Sequence, residues 1–505
     1  MSAPFCIPKV RTYFPENTSF FFCLFRGILK ERKGEGALKT YLAVDIGASS
    51  GRHILGWVED GTLRLQEIYR FENRLLKKNG RLCWDMEGLF REVVRGLERC
   101  RELSKIPDSV GIDTWAVDFL LLDQDGSPLG DSVAYRDDRT QGMDRAVEEL
   151  LSPEELYSRT GIQKQIFNTV YQLMAVKRRE PELLEHASRF LMVPEYLTYR
   201  LTGRMENEYT NATTTGLVNA QTKTWDGELL DRLGFPRGLF GQLRMPGYQV
   251  GGLLPEVRRQ VGFDCQVVFP ATHDTASAFL AVPAKEGGVY LSSGTWSLLG
   301  TELSEPITTR ESLERNFTNE GGYQYRFRYL KNIMGLWMLQ SLRREGGEGA
   351  TFQVLEQQAR QAADFPSRVD VNDGRFLAPE NMGEAIRSLC RETGQPVPET
   401  LGELGSCVYH SLAESYAASV EELSHLTGRT YTAVNIVGGG SRDTYLNQLT
   451  ANATGLPVYA GPTEGTALGN LMVQMLAAGE FPHLDAARKA ERQSFSIQEF
   501  RPGRI

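Results

Sequence analysis

At 505 residues the chain is longer than a single hydrophobic core usually grows, so two domains with a cleft between them are expected. A formal net charge of -8 excludes a partner held by neutralising nucleic-acid phosphates, and 41% hydrophobic with 24% charged residues is the composition of an ordinary globular protein handling a small molecule. No stretch approaches the roughly eighteen uninterrupted apolar residues of a membrane span. Seven cysteines, at 6, 23, 83, 100, 265, 390 and 407, have neither zinc-ligand spacing nor a small secreted scaffold around them. Free thiols in the cytoplasm follow, with Cys390 and Cys407 able to meet if their segments pack together.

Residues 1–39 contain an apolar run, SFFFCLFRGIL, with no small-residue cleavage pattern after it, and read as a weakly ordered extension. The next stretch, YLAVDIGASSGRHILGWVEDGTLRLQEIYR, reads as a strand ending in Asp45, a Gly/Ser turn, a second strand, an Asp60-Gly61 hairpin turn and a third strand. Leu89, Phe90, Val93, Val94 and Leu97 then have the spacing of an amphipathic helix within 84–102. SVGIDTWAVDFLLLDQDG follows as strand, polar interruption and strand. Residues 152–203 are helical in pattern, starting at Ser152-Pro153-Glu154-Glu155 and stopped by Gly203, and 204–250 read as loops and short strands over a cleft.

At 267–281, VFPATHDTASAFLAV sets His273 and Asp274 between an apolar strand and a row of small residues. A carboxylate there is costly unless it is partnered. The stretch by itself allows two readings: Asp274 or Thr275 caps a helix beginning at Ala276, or Asp274 is a catalytic acid. VYLSSGTWSLLG, at 289–300, repeats the strand-turn-strand logic of the 41–56 region, so that two phosphate-sized turns would bracket a nucleotide. VNIVGGGSRDTYLNQLTANATG adds a buried strand, three glycines and a helix, a pattern that lets backbone N-H groups approach a ligand. AGPTEGTALGNLMVQMLAAG places Gly465, Ala467 and Gly469 where a helix could pack tightly against another, either as packing alone or as a further part of the same arrangement.

Taken together and in this order, the Asp-x-Gly-x-Ser turn, its echo halfway along, the IVGGG turn and the small-residue helix resemble the actin-like ATPase superfamily, and within it the FGGY carbohydrate kinases. The resemblance covers about residues 40–480, with EYLTYRLTG, TNATTTGL and WDGELLDRLG as further family passages. It implies an α/β fold of two ribonuclease H-like domains, each a mixed five-stranded sheet with helices, facing across a cleft: 40–284 on the sugar side and 285–505 on the nucleotide side. DTWAVDF, AYRDDRT, THDTASA, LSSGTWSL and KNIMGLW narrow it to the members that use ATP to phosphorylate L-rhamnulose at its 1-hydroxyl. Fuculose, xylulose or glycerol are alternative acceptors, and an actin-like or Hsp70-like ATPase with no sugar substrate is the alternative from another class.

Under this resemblance Asp274 is the carboxylate that accepts the proton of the attacking hydroxyl. His273, Thr275, Asn332 and the backbone at Ala116 hold the sugar, Ala116 standing where the family more commonly has Gly. Ala48, Ser49, Ser50, Gly51 and Arg52 cradle phosphates, with Thr295, Gln340 and Gly439 as further ATP contacts. Asp45 organises Mg²⁺ through waters. Asp137 and Arg139 are weaker cleft candidates. Read without the resemblance, Asp45 is equally a turn acid, Arg52 a surface cation, Gln340 a solvated helix residue and His273 a structural hydrogen-bonder. The implied partners are ATP, Mg²⁺ and a sugar, in a monomer or a dimer, with neither nucleic acid nor membrane.

Overall fold

The computed structural model describes residues 38–282 and 287–503; the N-terminal apolar run, Cys6 and Cys23 lie outside the described residues. A first sheet is built from β1 (Tyr41–Ile46), β2 (Ser50–Glu59), β3 (Thr62–Glu72), β4 (Ser109–Thr114), β5 (Gln249–Gly252) and β6 (Gln266–Val268), in the spatial order β5-β6-β4-β1-β2-β3. A second contains β7 (Gly288–Ser293), β8 (Trp296–Leu303), β9 (Phe317–Gly321), β10 (Phe327–Met334), β11 (Ala433–Val437), β12 (Val458–Ala460) and β13 (Gln498–Phe500), in the order β9-β10-β8-β7-β11-β12-β13.

Setting aside the edge strands β5, β9 and β13 leaves the same path in both sheets. In β3-β2-β1-β4-β6 and in β10-β8-β7-β11-β12, two antiparallel pairings are followed by two parallel ones. The five-stranded expectation therefore describes the core of each sheet, and the edge strands widen them to six and seven. β1 is buried at every position, as a strand covered on both faces must be, which is why YLAVDI lacks in-out alternation. At the β2-β3 turn Asp60 and Gly61 take φ of 50° and 74°, the doubly left-handed conformation that an Asp-Gly hairpin supplies at low cost.

Helix α1 (Met86–Glu102) starts where the Asp85 carboxylate accepts from Gly88 N, and its buried Leu89, Val93, Val94 and Leu97 face the first sheet's core. The 152–203 segment opens and stops as its sequence suggests, with Ser152 capping and Gly203 left-handed. It is not helical throughout: Arg189–Met192 is a strand, paired antiparallel with Phe119–Leu122. The described cysteines are free and buried, and Cys390 and Cys407 share one hydrophobic core cluster without a disulfide.

Three later helices tie the sheets together: α2 (Asp274–Leu280), α4 (Gly465–Ala477) and α5 (Leu484–Ser494), with α3 (Thr444–Thr454) packed on the second sheet. Residues Thr40–Ile505 form one unit by contacts, because the chain returns to the first sheet after the second is complete. In α4, Asn470 donates to Gly111 O at 3.1 Å and Gln474 to Leu42 O at 2.9 Å. Arg488 of α5 donates to Phe279 O and Leu280 O at the end of α2 and pairs with Glu302 of β8 at 3.2 Å. The α2-α4 crossing is at backbone distance: a Cβ on Gly469 would lie 1.8 Å from Ser277 O. Gly469→Ala is therefore expected to destabilise by about 3 kcal/mol, the upper end of over-packing costs. Gly238→Ala, where an added Cβ meets nothing within 4 Å, is the control and should leave the thermal midpoint in place.

Candidate active site

Parallel pairing brings carboxylates to one edge of the first sheet. In the β1-β4 register Asp45 stands level with Asp113, each one residue from the carboxyl end of its strand. Past the end of β6, Thr114 N donates to Thr272 O at 2.9 Å and Thr114 forms an isolated parallel bridge with His273, so that Asp274 emerges beside the same edge. The buried Glu208 carboxylate holds this segment by accepting from Thr272 Oγ1 at 2.7 Å. The carboxyl ends of parallel strands are where open α/β sheets place ligands. Here they border a cavity of about 620 Å³ lined from both sheets.

Asp274 is the first residue of α2, and its Oδ1 accepts from Thr275 N and, at 3.0 Å, from Thr275 Oγ1. The capping reading does not hold as stated: the helix begins at Asp274 and not at Ala276, and its N-cap is His273, without a side-chain cap bond, so that Asp274 sits in the first turn and faces the cavity. Its side chain is 32% exposed and lines the cavity. Burial and the nearby Asp45 carboxylate push the Asp274 carboxyl up to about 6, against the opposing pull of the Thr275 hydrogen bonds and the Arg328 charge. An acid titrating there is ionised at neutral pH and still basic enough to take up a proton.

On one side of the cavity two similar turns face each other. Gly47 N donates to Ser50 O, and Gly294 N to Trp296 O, each at 2.9 Å. Ala48, Ser49 and Ser50 line the cavity from the first turn, Ser292, Ser293 and Thr295 from the second. The three glycines after β11 rest on the second turn: Gly438 has φ 85°, and a Cβ on Gly440 would fall 2.0 Å from Ser293 Oγ. Gly439 lines the cavity. Arg52 lines it too, but its guanidinium is engaged, donating to Asp45 Oδ2 at 3.0 and 2.9 Å and pairing with Glu464 at the start of α4. Gly51 and Gln340 lie outside the lining. Gly51 is explained by packing, since a Cβ there would sit 2.1 Å from the Phe71 ring, and Gln340 is carried half-buried on the helix Trp337–Glu345.

The opposite wall is the DTWAVDF loop. Ala116 and Val117 line it, and Val117 has φ 67°, an outlying backbone conformation for a β-branched residue. Thr169 Oγ1 and Gln172 Nε2 hold it there by donating to Val117 O at 2.7 and 3.2 Å. His273, Thr275 and Asn332 complete this side, with Asn332 Nδ2 donating to Gln163 Oε1 at 3.0 Å. Asp137 and Arg139 are buried structural groups: Asp137 accepts from Leu82 N at 2.8 Å, and Arg139 donates to Gln172.

Asp113, Gln163, Glu320 and Arg328 were not singled out from the sequence, although each belongs to the site or supports it. Asp113 is fully buried, accepts from Asn470 at 2.6 Å through Oδ2 and leaves Oδ1 without a partner. Burial, then the Asp45 charge, raise its carboxyl well above the ordinary range. An Arg in the apolar run of β10 was the available signal for Arg328. Among the described residues no cluster of three or more His, Cys, Asp or Glu is placed to ligate an ion directly. Carboxylates spaced around a cavity with two phosphate-sized turns nevertheless suit Mg²⁺, which keeps much of its water and is held by few carboxylates together with substrate phosphates.

Comparison with known proteins agrees with this arrangement. The N-terminal domain model of the FGGY family of carbohydrate kinases matches residues 40–281 and the C-terminal domain model residues 289–478. A rhamnulokinase from Halalkalibacterium halodurans is 50% identical over 91% of this chain and 98% of its own length, and one from Bacillus subtilis 43% identical over 92% and 95%. Among solved structures, the gluconate kinase from Lactobacillus acidophilus superposes with a TM-score of 0.76 at 17% identity, covering 92% of this chain and 94% of that one. The Plasmodium falciparum glycerol kinase with ADP gives 0.75 at 13%, with the same coverage. Matched along nearly its whole described length, the chain belongs to the FGGY family of carbohydrate kinases and groups within it with the rhamnulokinases.

Proposed function

We infer that the protein transfers the terminal phosphoryl group of ATP to the 1-hydroxyl of L-rhamnulose, giving L-rhamnulose 1-phosphate and ADP. One observation carries the chemistry: a carboxylate titrating at about 6 is fixed at a helix start, between a sugar-sized wall and two phosphate-sized turns. Identity of 50% to a rhamnulokinase over almost all of its length supports the acceptor.

In this proposal the sugar lies against the Ala116 backbone, His273, Thr275 and Asn332, with its 1-hydroxyl toward Asp274. Ala48, Ser49, Ser50, Arg52, Thr295 and Gly439 surround the triphosphate, and Gly51 and Gln340 support this region from behind the lining. A bond forms from O1 to the terminal phosphorus as the bridging oxygen-phosphorus bond breaks, the bridging electron pair leaves with ADP, and Asp274 takes the hydroxyl proton. When bound, Mg²⁺ neutralises charge on the transferring phosphates, and Asp45 would hold it through water. Arg52 anchors the first turn by its pairing with Asp45 and Glu464 and lies within the phosphate region for any charge that develops there. Among the described residues no helix is long and apolar enough to cross a membrane, and a cytoplasmic location belongs to the same proposal.

Asp274→Asn keeps the shape and loses the base, so kcat should fall by roughly 10²–10⁴-fold while sugar affinity, followed by calorimetry, stays within a few-fold. Since Asp274 works ionised, kcat/KM should drop about tenfold per pH unit below about 6 and level off above it; a flat profile from pH 5 to 8 contradicts the assignment. The same raised pKa makes ionisation costly to the fold. That cost is absent below the unfolded value near 3.8, grows between 3.8 and about 6, and is complete above 6. Asp274→Asn should accordingly melt above the wild type at pH 8, with the difference closing toward pH 4. ADP release measured against L-rhamnulose, fuculose, xylulose, glycerol and no sugar tests the acceptor; equal rates with all of them, or sugar-independent hydrolysis, would overturn it.

A further inference from the structure

Behind His273 lies a buried ion pair that the reaction as described does not use. Arg328 of β10 is 1% exposed and Glu320 of β9 is 8% exposed, and their Nη2-Oε2 separation is 2.9 Å. Arg328 Nε also donates to Gly321 O at 3.1 Å, which fixes the plane of the guanidinium. The same Nη2 stands 3.1 Å from His273 Nδ1.

A guanidinium has only donors. The ring nitrogen that faces it at hydrogen-bond distance must therefore be the acceptor, and a neutral imidazole that accepts at Nδ1 carries its proton on Nε2. Glu320 Oε2, an ion-pair partner of Arg328 that accepts no hydrogen bond, is 3.5 Å from Nδ1, beyond the usual N-H···O range, whereas the Arg328 Nη2-H group meets Nδ1 with hydrogen-bond geometry. On the other side of the ring, Nε2 is 3.4 Å from Asp274 Oδ1, too long for a good bond to an oxygen that already accepts from Thr275. The Nε2-H group is thus left available to the cavity, beside a carboxylate that has only acceptors. These three, Arg328 from β10, Glu320 from β9 and Asp274 from α2, are the charged groups that face the ring, and burial together with the Arg328 charge holds the imidazole neutral.

We propose that the Glu320-Arg328 pair is a positioning device that locks His273 in the neutral Nε2-H tautomer, so that a fixed donor stands beside the Asp274 acceptor. The substrate chemistry that this pair recognises is two oxygens on adjacent carbons: a hydroxyl whose proton goes to Asp274, and a neighbouring oxygen that accepts from His273. A 1-hydroxy-2-keto sugar, open or cyclised, has that arrangement at C1 and C2. The inference about substrate rests on the L-rhamnulose reading, whereas the tautomer does not.

The test is a long-range ¹H-¹⁵N spectrum of the full-length protein labelled with ¹⁵N-histidine, with the His273 signal assigned by its loss in His273→Gln. The wild type should show a single Nε2-H tautomer that gains no second proton at pH 6. The paired variant Glu320→Gln/Arg328→Gln removes both charges together, so that neither is left buried alone. Its His273 should become a mixture of tautomers, with KM for L-rhamnulose about tenfold higher, as expected for a lost neutral hydrogen bond, and KM for ATP unchanged. An Nδ1-H tautomer in the wild type, or a doubly protonated ring at pH 6, overturns the proposal, and these decide the matter even if the paired variant does not fold. So does a folded variant that keeps one Nε2-H tautomer. If the tautomer is as stated but L-rhamnulose is not phosphorylated, the substrate reading fails and the device stands.

Discussion

The parallel register of β1, β4 and the Thr272–His273 segment is the constraint on which the site depends. Parallel strands end at one edge of a sheet, so acids placed at their carboxyl ends converge without any long side chain having to reach. Asp45 and Asp113 are level because their strands pair residue for residue, and Asp274 joins them because Thr114 N bonds to Thr272 O beyond the last regular pair. Carboxylates gathered at one edge then shift one another: burial and the Asp45 carboxylate push the Asp274 carboxyl up to about 6, and burial with the Asp45 charge raises the Asp113 carboxyl well above the ordinary range.

That geometry persists because the second half of the chain is anchored to the first. α4 reaches back to bond Gly111 O and Leu42 O, and it crosses α2 where Gly469 leaves room for the Ser277 carbonyl. α2 carries Asp274 at its start and meets α5 at its end through Arg488, whose other partner, Glu302, is on the second sheet. A carboxylate presented by a helix held at both ends has a fixed position at the cavity. Val117 on the opposite wall, at φ 67°, is fixed in the same way by hydrogen bonds from Thr169 and Gln172 to its carbonyl.

Much of the site was legible because glycine-rich turns and strand-end acids are local signals. The hairpin at Asp60-Gly61, the two turns at 47–50 and 293–296, the glycines after β11 and the acid at 274 all declare themselves in a few residues. The small-residue helix read as a packing element packs as one. Other assignments depended on direction, which a sequence does not state. Gly51 lies in a phosphate-turn sequence but faces Phe71, and Asp137 turns inward to bond Leu82 N. Arg52, read either as a phosphate contact or as a surface cation, lines the cavity while clasped by Asp45 and Glu464, residues more than four hundred positions apart in the chain.

The sequence by itself determined the turns at 47–50, 60–61 and 438–440, most of the strands and helices around them, and the acid at 274, because each rests on a few adjacent residues, while the five-stranded path and the family followed from the resemblance that their order carries. Only the tertiary structure decided the environment of that acid. Burial, the distance to Asp45, the ion pair of Glu320 with Arg328 and the face that His273 turns to the cavity all arise from groups brought together across the fold. Electrostatic interaction depends on separation and solvent exposure in space, neither of which is fixed until the sheets and the helices joining them have packed.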